Sequence, residues 1–575
     1  MIRKDTVKRI LGELPLTAEV YWHLRQNGKP LSESFSLRRT QKWLPIWREQ
    51  AEAAARHSPH GAKVVIFATL RYWIEHATLL STAIAGLGNQ VSLAYLPYAN
   101  WRKTVSRFDL RQHNRYSHQV LSGAEPFIQV VSLLEVPSAM DRLRPITRPR
   151  SMPAGLASAI EKVSVRDVQY TLQVEDFDRK EELYQLRLAR NTQAAWSAFG
   201  YFRQAKPNIV LTPNGSILEM GAVYQVARHL GIPVLTYEFG EQRGRIWLAQ
   251  NSEVMHQETN DLWEARCNQP LVEMQWEQVR LLFTSRQRAD LWQNFSRRWQ
   301  GLPSQGEAEV RARLSLDARP VALLAANVIG DSLTLGRQVF TASMTEWLQQ
   351  TVLYFASRPD VQLVVRIHPG ERYTHGPSVA DVVSQALPDL PEHIHLVKAD
   401  DPVNTYDLVE LCDMGLVYTT TVGMEMAMSG VPVIVAGQTH YRMRGFTLDP
   451  DTWAGYRALL EQVLARPQAF RLSRQQVDQA WNYAYRFFFE YPQPFPWHLL
   501  HFWNELEEWP VERVLSIEGQ TIYGDTFRYL AGEPIDWRSR EAVPVNGSAN
   551  TTELTTALNA SGSLSAGANG DEQDG

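Results

Sequence analysis

An α/β fold with two Rossmann-like domains facing a central cleft is predicted by three features of the sequence. The apolar run at 63–70 is followed by a helical segment, a glycine-rich turn and a second apolar run, which is the pattern of a βαβ unit. Residues 207–241 repeat this order. Further apolar runs between 319 and 437 alternate with helical segments. Such alternation is typical of parallel sheets covered by helices.

The sequence divides into five predicted parts. An N-terminal helical extension covers 1–58, and the two Rossmann-like domains cover 59–310 and 311–472. Residues 473–540 are helical and aromatic, and we expect them to cross back and lock the two domains together. Residues 541–575 lack aromatic side chains and are rich in Ser, Thr, Asn, Ala and Gly, a composition that predicts a disordered tail.

Composition and charge exclude several classes of protein. The 575 residues have a formal net charge of -4 and no basic stripe, so no nucleic-acid partner is expected. The two cysteines form neither a disulfide framework nor a zinc site, and no apolar run is long enough to span a bilayer, which predicts a cytoplasmic protein. Basic residues beside aromatic ones at 4–9 and 37–43 leave peripheral membrane contact open, although we favour a solvated helix face.

The segment VVRIHPGERY delivers Arg366, His368 and Glu371 to the end of an apolar run. A histidine at a strand end can donate to a phosphate oxygen or transfer a proton near neutral pH. Arg366 alternates with His368, so both are expected on one face of a regular strand. The alternative is structural: His368 caps a carbonyl group at the strand end, and Arg366 pairs with Glu371.

A second candidate site is the hydroxyl-rich segment VYTTTVGMEM, between an apolar run and the helix that follows it. Its consecutive threonines are Thr419, Thr420 and Thr421. Hydroxyl groups and unbonded backbone N–H groups at a helix N-terminus form an anion site, to which we also assign Gly423. One threonine would be enough as an ordinary helix cap. Glu425 either closes a capping box with a threonine or accepts the hydroxyl groups of a ribose or sugar.

The segment AANVIGDSL places Asn327 and Asp331 after the first apolar run of the second domain. Gly330 between them permits close approach of the backbone to a ligand. We therefore assign both polar residues to nucleotide binding, with simple turn chemistry as the alternative.

In the first domain, two polar segments follow neighbouring apolar runs. Asn214 lies in a predicted turn, with Ser216 as the expected N-cap of the next helix. Glu238 and Glu241 flank a glycine, and Arg243 follows. A carboxylate at a strand end that faces a cleft can act as a general base or as a nucleophile. The alternative is a Glu–Arg ion pair that holds the loop.

The segment GQTHYRMRGFT follows the last apolar run. Tyr441 and Arg444 are expected to contact a nucleotide or an acceptor, whereas His440 is interpreted as a surface residue.

The chain resembles bacterial capsule polysaccharide biosynthesis glycosyltransferases of the GT-B fold in three motifs that occur in the same order: RIHPGE, VYTTTVGMEMAMSGVPVIVAG and HYRMRGFT. That group includes enzymes that transfer Kdo from CMP-Kdo onto lipid-linked capsule precursors. The resemblance covers residues 205–500, roughly. The His-Pro and threonine motifs are also similar to those of bacterial sialyltransferases, which use CMP-sugars. This chain has TTTVG where that group often has a Ser-Thr or Ser-Ser pair.

The resemblance implies a glycosyltransferase that takes its sugar from a nucleotide-activated donor, with a CMP-linked, Kdo-like sugar favoured. His368 would support the departing nucleotide, Thr420 and Thr421 would hold its phosphate, and Glu238 is only a loose counterpart of the acidic base. The second domain would bind the nucleotide-sugar, and the first a glycan or lipid-linked glycan acceptor at the inner face of the cytoplasmic membrane. No metal or other cofactor is expected. Inversion and retention both stay open.

Three other functions fit the same fold. They are transfer of polyol phosphate from a CDP-polyol, epimerisation of a nucleotide-sugar, and carbohydrate binding by a catalytically inactive subunit. The resemblance favours the glycosyltransferase.

Overall fold

The computed structural model describes residues 4–26, 28–135, 152–295 and 300–540. Their strands form one seven-stranded and one five-stranded sheet. The strands are β1 (Lys63–Thr69), β2 (Gln90–Leu96), β3 (Gln129–Ser132), β4 (Ile209–Pro213), β5 (Val234–Glu238), β6 (Arg245–Gln250), β7 (Val321–Ala325), β8 (Gln362–Arg366), β9 (Ile394–Val397), β10 (Met414–Val417), β11 (Val433–Val435) and β12 (Gln493–Pro494).

Helices precede, separate and follow these strands. They are α1 (Lys4–Glu13), α2 (Thr17–Gln26), α3 (Arg38–Ala55), α4 (Arg71–Gly86), α5 (Arg107–Leu121), α6 (Ala154–Leu172), α7 (Glu182–Ala205), α8 (Leu218–His229), α9 (Asn260–Arg266), α10 (Glu273–Gln287), α11 (Glu307–Arg313), α12 (Met344–Ala356), α13 (Val379–Ala386), α14 (Thr405–Leu411), α15 (Val422–Met428), α16 (Trp453–Ala465), α17 (Arg474–Tyr485), α18 (Phe502–Glu508), α19 (Val511–Leu515) and α20 (Ile517–Leu530).

The seven-stranded sheet has a parallel core in the order β3-β2-β1-β4-β5. β6 and then β12 extend it with antiparallel pairing. Six of the seven residues of β1 are buried, because the strand lies at the centre of a sheet covered on both faces. The strand order reverses between β1 and β4, the position at which such sheets bind ligands. We call this sheet and the helices packed on it the first lobe.

The five-stranded sheet is entirely parallel, in the order β9-β8-β7-β10-β11. Every residue of β7, β8 and β10 is buried, which explains why these strands appear in the sequence as continuous apolar runs. This sheet reverses its order between β7 and β10. We call the sheet and its helices the second lobe. Two Rossmann-like sheets in one chain confirm the predicted α/β, GT-B-like fold class.

The segment after residue 473 contacts both lobes. α17 packs against α15 of the second lobe, and β12 then pairs with β6 of the first, with Gln493 opposite Ile246. A buried ion-pair cluster supports the crossing: Glu490 accepts from Arg266 at 2.7 Å and from Arg486 at 2.8 Å.

Several features were not expected from the sequence. β3, β6 and β12 were not predicted, whereas α7 agrees with the helical pattern of its sequence. The predicted tail at 541–575 lies outside the described residues. The predicted domain boundaries stay predictions. None of the helices described combines the length and the apolar character that crossing a bilayer requires.

Candidate functional site

The loops after β7 and β10 meet at the switch point of the second sheet. The backbone N–H of Thr419 donates to Asn327 Oδ1 at 3.1 Å, and both residues are buried. The hydroxyl of Thr419 is buried and has no hydrogen-bond partner among the described residues. An unpartnered buried hydroxyl is costly, so its position beside the switch point marks a place where a ligand oxygen would be accommodated.

Arg366, at the end of β8, is 4% exposed. Its Nε donates to Thr405 Oγ1 at 3.2 Å, and its Nη1 donates to the carbonyl of Lys398 at 2.6 Å. Burial lowers the pKa of Arg366 to about 10, an effect that the charge of Asp401 opposes without forming an ion pair. The strand end therefore holds a buried cation bonded only to neutral groups, an arrangement that favours an incoming anion.

His368 lies two residues further, at the start of a short 3-10 helix. Its Nδ1 accepts the N–H of Gly370 at 3.0 Å, so the neutral imidazole carries its proton on Nε2. The suggested pairing of Arg366 with Glu371 is wrong. Glu371 instead accepts the N–H of Val379 at 3.2 Å, at the start of α13, and burial raises the pKa of Glu371 to about 7.

The threonine segment differs from the expected anion site. α15 begins at Val422 but has only seven residues, and the side chain of Thr421 makes no capping hydrogen bond. The N–H of Gly423 is already bonded to the carbonyl of Thr420 at 3.2 Å, and that of Met424 to the carbonyl of Thr421 at 3.0 Å. The N–H groups of Gly423 and Met424 are therefore engaged within the turn, and the threonine hydroxyls are the candidate side-chain donors of this segment.

Gly423 and Tyr441 support the threonine loop. The hydroxyl of Tyr441 donates to the carbonyl of Thr420 at 2.5 Å, and Tyr441 is fully buried. A Cβ atom on Gly423 would lie 2.4 Å from that hydroxyl. This close contact requires glycine at position 423, and the hydrogen bond from Tyr441 holds the carbonyl of Thr420 in position.

Two candidate carboxylates share one buried cation that the sequence analysis missed. Arg286, from α10, donates to Glu241 Oε1 at 2.7 Å and to Glu425 Oε1 at 2.8 Å. Glu425 forms no capping box. The predicted Glu–Arg pair therefore exists for Glu241, but its partner is Arg286, which links the β5–β6 loop of the first lobe to α15 of the second.

In the first lobe, Glu238 at the end of β5 is bonded only to neutral donors. Asn214 Nδ2 donates to its Oε2 at 3.0 Å, and the N–H of Phe239 donates to its Oε1 at 3.1 Å. Burial raises the pKa of Glu238, and the two hydrogen bonds oppose that rise. A carboxylate with a raised pKa and no bonded cation fits a general base.

Ser216 is not the helix cap that the sequence suggested. The N-cap of α8 is Ile217, and Ser216 Oγ is buried with no hydrogen-bond partner among the described residues. The N–H of Ser216 donates to Asn214 Oδ1 at 3.1 Å, which forms a tight turn at the end of β4.

Tyr170 of α6 lies between carboxylates of the two lobes. After burial, the charges of Asp331 and Glu238 are the next causes that raise the pKa of Tyr170. Asp331 itself accepts the N–H of Ser332 at 2.7 Å, as a turn residue does. The structure thus brings these two candidates toward a common tyrosine. Arg243 is exposed.

His440 was interpreted as a surface residue, and this is wrong. It is 7% exposed and stacks on Phe487 with 3.7 Å between the ring centroids. Its Nδ1 lies 3.0 Å from the hydroxyl of Tyr483. Burial, followed by the charges of Arg444 and Arg337, lowers the pKa of His440 well below its usual value, so the ring is neutral at pH 7. Arg444 donates to Asn260 Oδ1 at 2.6 Å.

A family comparison matches the part of the chain that contains these second-lobe loops. Residues 296–486, about a third of the chain, match the model of the capsule polysaccharide biosynthesis protein family. This match confirms the resemblance to that family over the segment in which all three sequence motifs lie. A search of the curated proteins finds no match.

Solved structures with similar folds include enzymes of three kinds. The beta Kdo 2,4 transferase KpsC of Thermosulfurimonas dismutans is 16% identical, with a TM-score of 0.31 over 48% of this chain and 79% of that one. UDP-GlcNAc 2-epimerase of Neisseria meningitidis is 12% identical, with a TM-score of 0.23 over 75% and 99%. A glycosyltransferase of Rickettsia africae is 7% identical, with a TM-score of 0.27 over 83% and 100%. Likeness at this level carries no argument about activity, and the fold assignment rests on the sheet topology.

Among the described residues, no group of three or more His, Cys, Asp or Glu side chains is arranged to hold a metal ion.

Proposed function

We propose that this protein is a glycosyltransferase of capsule or surface polysaccharide synthesis that uses a nucleotide-activated sugar, with a CMP-linked, Kdo-like donor favoured. The observation that carries the proposal is the switch point of the second sheet. Beside it, on the two strands that flank β7, Arg366 ends β8 as a buried guanidinium group with no ion pair to a described residue, and Thr419 follows β10 with a buried hydroxyl that no described residue bonds. The same sheet lies within the segment that matches the capsule family.

The proposed reaction assigns one task to each lobe. In the second lobe, Arg366 and Nε2 of His368 stabilise the negative charge that develops on the nucleotide phosphate as its bond to the anomeric carbon breaks. In the first lobe, Glu238 takes the proton of the acceptor hydroxyl as that oxygen bonds to the anomeric carbon. The products are the glycosylated acceptor and the free nucleotide.

The nucleotide site is tested by thermal shift with CMP, CDP, UDP, GDP and UMP, on the wild-type protein and on His368→Ala. Binding to the folded state raises the melting temperature by mass action. We expect one nucleotide to stabilise the wild type and to lose this effect in the variant. His375→Ala is the matched control, because His375 is exposed on the same loop.

The identity of that nucleotide separates the alternatives. CMP supports a Kdo- or sialic-acid-like donor, CDP a polyol-phosphate donor and UDP a nucleotide-sugar epimerase, with product analysis to follow. The absence of any shift would favour the inactive carbohydrate-binding subunit and would overturn the role given to His368.

We further propose that the N-terminal helices contact an anionic membrane surface. α1 and α2 pack on α5 and expose an apolar row with side chains 41% to 75% exposed. Its members are Val7, Ile10, Leu14, Leu16, Val20, Tyr21 and Leu24. Arg9 and Arg25 on the same helices are exposed and make no ion pair with any described residue, so the positive charge suits acidic lipid headgroups.

Sedimentation with phosphatidylglycerol vesicles tests this surface. We expect the wild type to bind at low salt and Ile10→Asp with Leu24→Asp to lose binding, while Leu390→Asp, at an exposed leucine elsewhere, leaves it unchanged. Equal binding by all three proteins, or self-association through this row without vesicle binding, would overturn the proposal.

A further inference from the structure

An open pocket lies between the loops of the two lobes. Its empty space, mouth included, is about 340 Å³. The first lobe contributes Arg166, Tyr170 and Ser216, and the second contributes Ser332 and Arg337. Ser216 and Asn214, which also lines the pocket, are acceptor-side residues that the sequence predicted. Because Asn214 is bonded to Glu238, the pocket adjoins the proposed base, and substrate atoms in it would contact both lobes.

Of the two arginines that line this pocket, Arg337 pairs with no carboxylate of the described residues. It is 6% exposed and donates from Nη2 to the carbonyl of Met255, and it makes no ion pair or other hydrogen bond through its side chain to a described residue. Arg166, by contrast, is paired with Glu253. The pocket thus holds an Arg–Glu pair that is neutral as a unit, together with one uncompensated guanidinium group.

The physical cost of this arrangement points to a missing anion. Burial, followed by the charge of Arg166, lowers the pKa of Arg337 to about 10, although the charges of Glu253 and Glu258 oppose the shift. Removing a charge from water without a bonded counter-charge is unfavourable. An anion that enters the pocket would offset this cost.

A second group in the same pocket points to the same ligand. The hydroxyl of Ser216 is buried, lines the pocket and has no hydrogen-bond partner among the described residues. A hydroxyl can donate to an oxyanion, and a guanidinium group matches two oxygens of a carboxylate or phosphate at once.

We propose that this pocket binds an oxyanion of a substrate, a carboxylate or a phosphate, through the guanidinium group of Arg337 and the hydroxyl of Ser216. The proposal rests on the proposed function, because it takes the ligand to be part of a donor or acceptor that enters between the lobes. The oxyanion has two possible sources: a carboxylate on the transferred sugar, or a phosphate of the acceptor.

Titration calorimetry with three probes distinguishes these sources. CMP carries no further oxyanion, CMP-N-acetylneuraminate adds a sugar carboxylate, and glycerol 3-phosphate presents a phosphate without a nucleotide. We expect Arg337→Gln to weaken one of the last two probes by about 10- to 100-fold, the range of a charged hydrogen bond. The affinity for CMP should change by less than about threefold, because CMP does not reach this group.

Two further variants separate binding from general damage to the fold. Ser216→Ala should weaken the same probe and leave the melting temperature unchanged, since its hydroxyl has no partner to lose. Arg442→Gln is the matched control, because Arg442 is 7% exposed, close to the 6% of Arg337, and is also bonded to carbonyl groups, but it does not line the pocket.

The proposal is overturned if Arg337→Gln binds both oxyanion probes as well as the wild type does, or if the wild type binds neither. If the wild type binds no nucleotide but does bind glycerol 3-phosphate, and Arg337→Gln weakens that binding, the proposed donor is overturned and the oxyanion pocket is supported.

Discussion

Among the described residues, the carboxylate of Glu238 in the first lobe is hydrogen-bonded to neutral donors alone, whereas Arg366 and Arg337 in the second lobe are bonded to neutral acceptors alone. Burial favours the neutral form of each group, so it raises the pKa of Glu238 and lowers the pKa of both Arg337 and Arg366. The first lobe therefore holds a buried acid that no described cation bonds, and the second lobe holds buried cations that no described carboxylate bonds. A substrate that brings a proton to the first lobe and an anion to the second would satisfy both, which is what glycosyl transfer requires.

The largest effect is expected for Glu238→Gln. The amide keeps the hydrogen-bonding shape but cannot take a proton, so turnover should fall by about 10²- to 10⁴-fold, the usual contribution of general-base catalysis. Nucleotide affinity should stay within a factor of about three, because the phosphate site lies on the other lobe. The measurement is the transfer rate with saturating donor, together with calorimetry of the nucleotide.

The pH dependence of the wild type sharpens this result. A base must be deprotonated to act, and the pKa of Glu238 is raised, so activity should fall as pH decreases, beginning at a higher pH than an ordinary glutamate would give. Turnover by Glu238→Gln at the wild-type rate would show that the carboxylate of Glu238 is not the base of the reaction.

The next effect is expected for Arg366→Met. Loss of a charged hydrogen bond to phosphate should weaken nucleotide binding by about 10- to 100-fold. The protein should stay folded, because the variant also removes a buried charge that has no ion pair. Arg372→Met, at an exposed arginine of the following turn, is the control and should bind as the wild type does. If Arg366→Met binds nucleotide as the wild type does, the guanidinium group of Arg366 does not contact the nucleotide phosphate.

A smaller effect is expected for Thr419→Val. Because its hydroxyl has no partner, the variant should keep or raise its melting temperature while nucleotide affinity falls by about fivefold, the effect of one neutral hydrogen bond. Thr439→Val should show the opposite pattern, a lower melting temperature with unchanged nucleotide affinity. The Thr439 hydroxyl donates to the carbonyl of Thr419 at 3.3 Å, and its loss destabilises the loop. A clear loss of stability in Thr419→Val would indicate a structural hydroxyl.

The smallest effect concerns Glu371, which lies near the phosphate site without belonging to it. Burial raises the pKa of Glu371 from its ordinary value of 4.5 to about 7 in the folded protein, so the folded state favours the protonated acid. The stability that this group contributes is present below pH 4.5 and is lost as pH rises to 7. Glu371→Gln mimics the protonated form, so we expect it to melt with the wild type at pH 5 and a few degrees higher, roughly, at pH 8.

Thermal melts at both pH values test this expectation, with Glu392→Gln as an exposed control. A constant difference between Glu371→Gln and the wild type across the range would show that the carboxyl does not titrate there.

The fold could be read from the sequence wherever burial is continuous. β7, β8 and β10 appear as apolar runs because both faces of a parallel sheet are covered, and the polar residues that end them are then easy to find. β12 left no such signal, because it has two residues and exists only through its pairing with β6.

The candidate site was harder to predict because its partners are distant in sequence. Arg286 is 45 residues from Glu241 and 139 from Glu425, so no local pattern connects the three. His440 was interpreted as a surface residue, whereas the ring of Phe487, distant in sequence, covers it in the folded chain. The unmatched charges of Arg337 and Arg366 are likewise properties of three-dimensional surroundings.

The pairing of β12 with β6 has a consequence for the order of events during synthesis. The first lobe begins earlier in the chain than the second, but its sheet edge and the helix that contacts Trp47 come from residues after 490. The last strand of the second lobe ends at Val435, before any of these residues. The lobe that is started first is therefore finished last, and a nascent chain stopped at residue 486 would hold a closed second lobe beside a first lobe with an open sheet edge and exposed tryptophan.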